Sequence, residues 1–424
     1  MPGPTHVAGV AMVVAALLGQ VPVALADPAA PPVEELVAVA LERSPSLAAL
    51  GERLAAAREM VAPAGALPDP MLELMLQDAG FPDYTVGSME MSMVGPEVRQ
   101  SLPYPGKREA RRQAARAEAE VRAQELAQLR RALAAQVRTF YARLWTLDQE
   151  RAELDAAREL IDLLAETATA RYGVGETAQE PVVKAMLEVS RLAERVDDLV
   201  AERAVLVAAL NRLLDRPGGA PLGETQALPP VAAPPRPWDM AAVASSAEVA
   251  IARAAVEAAA KRLEVARLDL KPDFTAGAGV GLRGGLDPVV TLRFGVELPL
   301  WRKTKQEPLK RAAEHELEMA RAELRQAEAD VRAEAARLDA EWQKAERQIV
   351  RYREALIPQT SAAVDAARAA YLAGQGDFST VVEDFEHWLE ARTGLARRQA
   401  DRYAVWAELE TLVAPSSAAA AEGE

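Results

Sequence analysis

The sequence predicts a mainly α-helical chain with a minor β component: a duplicated long-helix coiled-coil unit with two β-hairpins per chain. Three observations predict it. The chain is 50% hydrophobic but only 4% aromatic, and its wealth of Ala, Glu, Arg and Leu suits long, closely packed helices rather than several compact cores. Its order of elements repeats at a constant offset. Between the helices of each half lies a short stretch with the period-2 alternation of a strand.

Charge and composition remove several function classes. With 63 Asp and Glu against 49 Lys and Arg, the net charge of −14 counts against nucleic acid as a partner. No run of about 20 apolar residues occurs after the N-terminal region, which excludes a transmembrane helix but leaves barrel strands open. Cys is absent, so disulfides, thiolate metal sites, a Cys nucleophile and a Cys-linked lipid anchor are excluded. Residues 1–26 read as a secretory signal, with an apolar stretch from Val7 to Leu18, a break at Pro22, and Ala24-Leu25-Ala26 as a small-x-small cleavage site before Asp27. Its first residues, MPGPTH, hold no Lys or Arg. The mature chain is expected to be exported and to end in a disordered tail at 415–424.

In order along the chain, residues 27–216 form a first structural repeat, 217–239 a Pro/Gly-rich linker and 240–414 a second repeat. Each repeat opens with a helix of moderate length, Val33 to Val61 and Met240 to Leu270. Pro-Asp then introduces a strand region in each (Pro68-Asp69 and Pro272-Asp273), and Leu-Pro with a basic cluster ends it, LPYPGKR at 102–108 and LPLWRKTK at 298–305. Very long helices follow. Leu317, Ala320, Leu324, Ala327, Val331, Ala335, Leu338, Trp342, Ala345, Ile349, Tyr352 and Leu356 are spaced by threes and fours, as are Leu126, Leu129, Leu133, Val137, Phe140, Leu144 and Leu147. Such spacing predicts coiled-coil packing. Lys107 to Arg171 alone would span roughly 100 Å. Pro358 is expected to kink the second long helix. The helices break at RYGVGETAQEPVV (171–183) and AYLAGQGDFSTVV (370–382), where Tyr172 and Tyr371, Gly175 and Gly374, and Val182-Val183 and Val381-Val382 stand 199 residues apart.

Alternation gives each strand two unlike faces. Leu72, Leu74 and Leu76 oppose Met71, Glu73, Met75 and Gln77; Val290, Leu292, Phe294, Val296 and Leu298 oppose Thr291, Arg293, Gly295 and Glu297. Strands of this kind carry the signature of a transmembrane barrel. Two hairpins cannot close one, and open edges are not tolerated in lipid. Either several chains share a barrel or the hairpins pack on the protein itself.

The duplicated helix–hairpin–long-helix plan, LPYPGKR, YGVGE and YLAGQGDF together resemble the TolC-like outer-membrane efflux proteins across essentially the whole mature chain. PDPMLELML (68–76) and MEMSMVGPEVRQSLPYPGKR (89–108) are most similar to the heavy-metal-resistance branch. The resemblance implies a homotrimer whose protomers each give four strands to a twelve-stranded outer-membrane β-barrel, continued by a periplasmic α-helical barrel. It implies a duct in a tripartite efflux system, working with a periplasmic adaptor protein and an inner-membrane transporter. The sequence holds no G-x-S-x-G, P-loop or H-E-x-x-H, so enzymatic activity has no support and no cofactor is expected. The resemblance also places the periplasmic tip, and adaptor docking, at the two helix breaks: Tyr172, Gly173, Gly175, Tyr371, Gly374 and Gly376. Heavy-metal cations are the favoured cargo. Drug efflux or type I protein secretion are alternatives within the fold, and a periplasmic adaptor is an alternative outside it.

Three groups of residues are candidates for chemistry. Met71, Met75, Met89, Met91 and Met93 offer soft thioethers suited to Cu(I) or Ag(I) as weak transit contacts, or simply fill gaps and lipid-facing surface. Met89, Met91 and Met93 are expected on one strand face, and Met71 and Met75 on another. Asp377, Glu383 and Asp384 near the second break could form threefold carboxylate rings that attract cations at a gate; Asp377 also suits a helix N-cap. Glu383 and His387, spaced i,i+4, could chelate an ion or lie on a solvated face. GVGLRG (279–284) runs into a strand, so the helix N-terminus that a phosphate site needs is missing. Its alternating Gly277, Gly279 and Gly281 read as the bare face of a strand.

Overall fold

Heptad spacing and the two helix breaks set the architecture. A computed structural model describes residues 29–232 and 236–413; the expected signal at 1–26 and tail at 415–424 lie outside the described residues. The first repeat runs α1 (Val33–Arg43), α2 (Pro45–Glu59), α3 (Val61–Ala64), β1 (Met71–Gln77), β2 (Met93–Leu102), α4 (Lys107–Gly173) and α5 (Glu180–Leu213). The second runs α6 (Trp238–Ser245), α7 (Ala247–Leu268), β3 (Asp273–Arg283), β4 (Leu286–Glu297), α8 (Gln306–Arg351), a π turn (Tyr352–Leu356), α9 (Ile357–Leu372) and α10 (Phe378–Val413). Lys107 to Gln306 and Gly173 to Leu372 are each 199 residues, so the shift that aligns the breaks also carries α4 onto the continuous helix α8–α9.

Helix packing follows the spacing. Leu317, Ala320, Ala327, Val331, Ala335, Leu338, Trp342, Ala345 and Ile349 are buried along α8, and Leu126, Leu133, Val137, Leu144 and Leu147 along α4. Small Ala positions let the helices approach closely. One cluster packs α1 and α2 against α4, α5 and α10 around Tyr141, Leu144 and Tyr403. A second joins the far ends of α4, α5, α9 and α10 around Ile161, Leu164, Phe378 and Phe385.

Local structure departs from the expected elements at three places. The helix expected over Val33–Val61 divides at Ser44, because Pro45 drives that residue out of helical geometry (φ −59, ψ 117) and takes the first position of α2; the short α3 follows Met60. The helix expected over Met240–Leu270 divides at Ser246 (ψ 133), whose hydroxyl accepts from the Glu248 amide at 3.2 Å. Ahead of Pro358 the chain widens into the π turn, which accommodates a ring that cannot donate a hydrogen bond and crowds the preceding turn.

The Pro/Gly-rich segment is a strap fastened to the helices. Asp148 Oδ2 accepts from the Thr225 amide (2.9 Å) and hydroxyl (2.7 Å), the Tyr141 hydroxyl accepts from the Gln226 amide (2.8 Å), and Arg203 donates to the Gly223 carbonyl (2.8 Å). Side chains thus satisfy backbone groups that have no helix or sheet to join.

The strands form one four-stranded antiparallel sheet in the order β1-β2-β3-β4. The β2–β3 pairing joins the hairpins of the two repeats, from Leu102 opposite Phe274 to Val94 opposite Leu282. β1 and β4 remain as edges.

Candidate functional site

The sheet separates two chemistries because side chains alternate across it. On one face the register sets Leu72 beside Val98, Val98 beside Ala278 and Ala278 beside Leu292, with Phe274 opposite Val296 and Val280 opposite Val290. All are exposed, with Leu74 at 78% and Phe294 at 83%. An exposed face that is mainly apolar on all four strands, interrupted on β2 by Gln100, is what a lipid-facing barrel wall requires.

The other face is ionic. Arg99 lies 2.8 Å from Glu73, and Glu97 sits between Arg293 (3.1 Å) and Arg99 (3.6 Å). Glu97 is only 3% exposed. Gly277 and Gly279 make room for it, since a Cβ at either would come within 3.3 Å or 3.2 Å of its side chain. Gly281 does the same for Met93. The bare glycine face expected from the sequence therefore has a purpose in packing. The Glu73–Arg99–Glu97–Arg293 network was not singled out from the sequence. Its only signal was the polar half of the alternation.

The methionines divide among three settings. Met71 and Met75 share the ionic face of β1, where Met75 Sδ accepts from Arg293 Nη2 at 3.2 Å. Met93 is buried at the start of β2. Met89 and Met91 do not continue that strand, correcting the expected common face. They are exposed in the connection between β1 and β2, because a turn closes there: the Met89 amide donates to the Thr85 carbonyl (3.1 Å), Gly87 adopts φ +96, and the Ser92 hydroxyl donates to the Asp78 carbonyl (2.7 Å). Among the described residues no group of three or more His, Asp or Glu is arranged to hold a metal ion. Glu383 and His387 are both exposed on α10.

At the helix breaks the two repeats use one backbone solution. After α4 the Glu176 amide donates to the Arg171 carbonyl (2.9 Å) and the Gly175 amide to the Tyr172 carbonyl (3.0 Å); after α9 the Gln375 amide donates to Ala370 (2.9 Å) and Gly374 to Tyr371 (3.0 Å). Both are Schellman turns, with Gly175 at φ +77 and Gly374 at φ +72, the left-handed region where glycine carries no penalty. Gly173 closes α4 with open space around it, whereas a Cβ at Gly376 would meet Ala370 Cβ at 3.0 Å.

Side chains then distinguish the breaks. Tyr172 is 47% exposed and Tyr371 only 4%. The Tyr371 ring meets Phe378 edge-on at 5.2 Å, and Arg171 covers it with its guanidinium 5.2 Å from the ring centre while donating to the Tyr371 carbonyl at 2.7 Å. Sequence reading aligned the tyrosines but missed Arg171, which follows from a contact 200 residues away in the chain. Asp377 caps α10, accepting from the Ser379 amide (3.0 Å) and hydroxyl (2.8 Å), and these bonds hold its carboxyl below the usual range, the amide contributing most. Lys184 pairs with Glu180 at 2.6 Å and donates to Ser379 at 3.2 Å, tying the start of α5 to that of α10. Asp377 and Glu383 are exposed, and Asp384 is half-buried.

The chain matches the family profile described as outer membrane efflux protein over residues 36–214 and 240–414. No curated protein matches it in sequence. Among solved structures it is similar to the outer membrane protein VceC of Vibrio cholerae, with a TM-score of 0.76 and 19% identity over 90% of this chain and 96% of that one. It is similar to CusC, whose structures concern folding and transmembrane channel formation, with a TM-score of 0.78 and 15% identity over 90% and 92% of the two chains. The open state of the MtrE outer membrane channel of Neisseria gonorrhoeae gives 0.70 and 17% identity over 92% and 90%. At such identities these likenesses show the fold.

Proposed function

The chain belongs to the outer membrane efflux protein family, and from that premise we propose that it is the outer-membrane duct of a tripartite system exporting heavy-metal cations from periplasm to exterior. It is an outer-membrane channel protein of a family that is not enzymatic. The observation that carries the duct reading is the sheet: apolar outside, ionic inside, and open at both edges. Three copies joined edge to edge give a closed twelve-stranded barrel, and lipid leaves no edge unpaired. Light scattering on detergent-solubilised protein should give a homotrimer; a monomer, or recovery in the soluble periplasmic fraction, overturns it.

The metal cargo is supported by the thioethers of Met71 and Met75 on the ionic face and of Met89 and Met91 in the exposed connection, together with the resemblance at 68–76 and 89–108. These are transit contacts, because a duct must release what it carries. Around the tip, Asp377, Glu383 and Asp384 become threefold rings that concentrate cations. A strain lacking the protein should lose growth on copper, silver, zinc, cobalt or cadmium. Sensitivity to drugs with unchanged metal tolerance would overturn the cargo. One observation favours that second reading of a drug or protein duct: the Arg293 guanidinium lies on the Met75 sulfur, opposing a cation there.

A periplasmic adaptor docks at the two Schellman turns, and an inner-membrane transporter completes the system. The matched geometry of Gly175 and Gly374 and the exposure of Tyr172 support this docking surface. Replacing both glycines by valine should abolish efflux while leaving the trimer intact. Normal efflux in that variant overturns the docking assignment.

A further inference from the structure

Where the sheet meets the helices, the first repeat is clasped by the second. Lys107, 3% exposed at the start of α4, places Nζ 2.8 Å from Asp273 and donates to the Lys271 carbonyl at 2.9 Å. Asp273, the first residue of β3, also accepts from the Tyr104 amide at 2.7 Å. Arg111 reaches Asp269 at 3.3 Å. The turn that leaves β2 is thereby held by the segment that opens the neighbouring strand.

The second repeat has the same turn without the clasp. After β4, Leu298-Pro299 leads through Arg302, Lys303 and Lys305 into α8, where Gln306 stands in the place of Lys107. These three cations are exposed, and none has a carboxylate within 4 Å among the described residues. Its counterpart lies at the other end of the sheet. Pro68-Asp69 precedes β1 as Pro272-Asp273 opens β3, and Asp69 is exposed with no cation within 4 Å among the described residues. β1 and β4 are the two edges. A second copy that adds its β1 to this β4 brings its Asp69 to the β4–α8 turn, in the relation that Asp273 has to Lys107. Exposed Leu67 on one side and Leu298, Leu300 and Trp301 on the other supply apolar cover.

We propose that Asp69 of one copy docks against Lys303 and Lys305 of the next, repeating between chains the clasp that Lys107 and Asp273 make within one. This names the contact of the trimer proposed above and rests on that reading. Its role is register. A slip of one residue at the β4–β1 edge would turn every side chain to the wrong face of the barrel, and a fixed charge pair at the base opposes the slip.

The chain has no Cys, which permits a direct test on the full-length protein in detergent. Asp69→Cys is combined with Lys303→Cys, and separately with Lys305→Cys, then treated with a short bismaleimide. Covalent dimers and trimers are expected from the double variants and none from any single one. Asp69→Arg alone should lower the trimer fraction by about fivefold per interface, and adding Lys303→Asp and Lys305→Asp should restore it. Trimers by light scattering without cross-links overturn this contact and leave the duct reading standing. Monomers by light scattering overturn both. If the charge-reversed lysines alone abolish binding to anionic vesicles while trimers persist unchanged, the turn serves lipid headgroups and the contact is overturned.

Discussion

The two helix breaks share a backbone and differ in surface. After α4 and after α9 the chain turns through the same pair of hydrogen bonds and the same left-handed glycine. Yet Tyr172 faces outward, while its counterpart Tyr371 is buried against Phe378 and covered by Arg171 from the first break. The second break is therefore an anchor, and the first leaves its ring exposed. The difference teaches that duplication preserved what the backbone needs and left the side chains free to divide the work. A glycine at φ +77 or +72 is costly to replace, whereas an exposed ring and a buried ring require only different neighbours.

The largest expected effect comes from removing the anchor. Tyr371→Ala deletes a buried ring, and should lower the free energy of local opening at the tip by about 3–5 kcal/mol, read by hydrogen exchange in residues 364–385. Tyr172→Ala should change exchange in 164–180 by less than about 0.5 kcal/mol. Equal losses at the two sites would break the comparison. Next, Gly175→Val and Gly374→Val should each cost about 1–2 kcal/mol, since both residues are left-handed. Unequal costs would mean that the two turns are not one solution.

A smaller effect sharpens the anchor. The Tyr371 hydroxyl is buried with no hydrogen-bond partner among the described residues, so Tyr371→Phe should be neutral or stabilising by up to about 1 kcal/mol. A loss greater than that would show the hydroxyl to be engaged.

The smallest effect separates the helix starts. Asp377 caps α10, whereas Gln179 before α5 makes no side-chain cap. Because the Asp377 carboxyl is held below its usual value, its contribution is fully present above the unfolded-state value of about 4. It is lost as pH falls through the depressed folded value. The protection of the Ser379 amide, measured against its intrinsic exchange rate at each pH, should therefore fall in acid while that at the start of α5 does not follow. Asp377→Ser keeps a capping oxygen and removes the charge, so melting should barely move. If Asp377 belongs to a cation ring, planar-bilayer conductance of that variant should lose cation preference.

Much of this was legible in the sequence because it is periodic. Spacing by threes and fours marked the helix seams, alternation marked both strand faces, and Gly175 and Gly374 marked the turns by the residue that adopts their φ without penalty. Local punctuation was harder to read. Pro45 and Ser246 divided helices that periodicity carried through, and the turn at Thr85–Met89 ended a strand pattern that Met89, Met91 and Met93 imitate.

The sequence by itself determined the repeat, the long-helix seams, the two-faced strands and the family, since each is written in residues close along the chain. Only the tertiary structure decided that β2 pairs with β3, that Glu97 is enclosed beneath Gly277 and Gly279, that Arg171 covers Tyr371 and that Lys107 clasps Asp273. These contacts join residues more than 150 apart, and neither partner's local pattern changes when the other is named. Periodicity tells which face a side chain occupies; only packing tells which distant charge or ring it meets there.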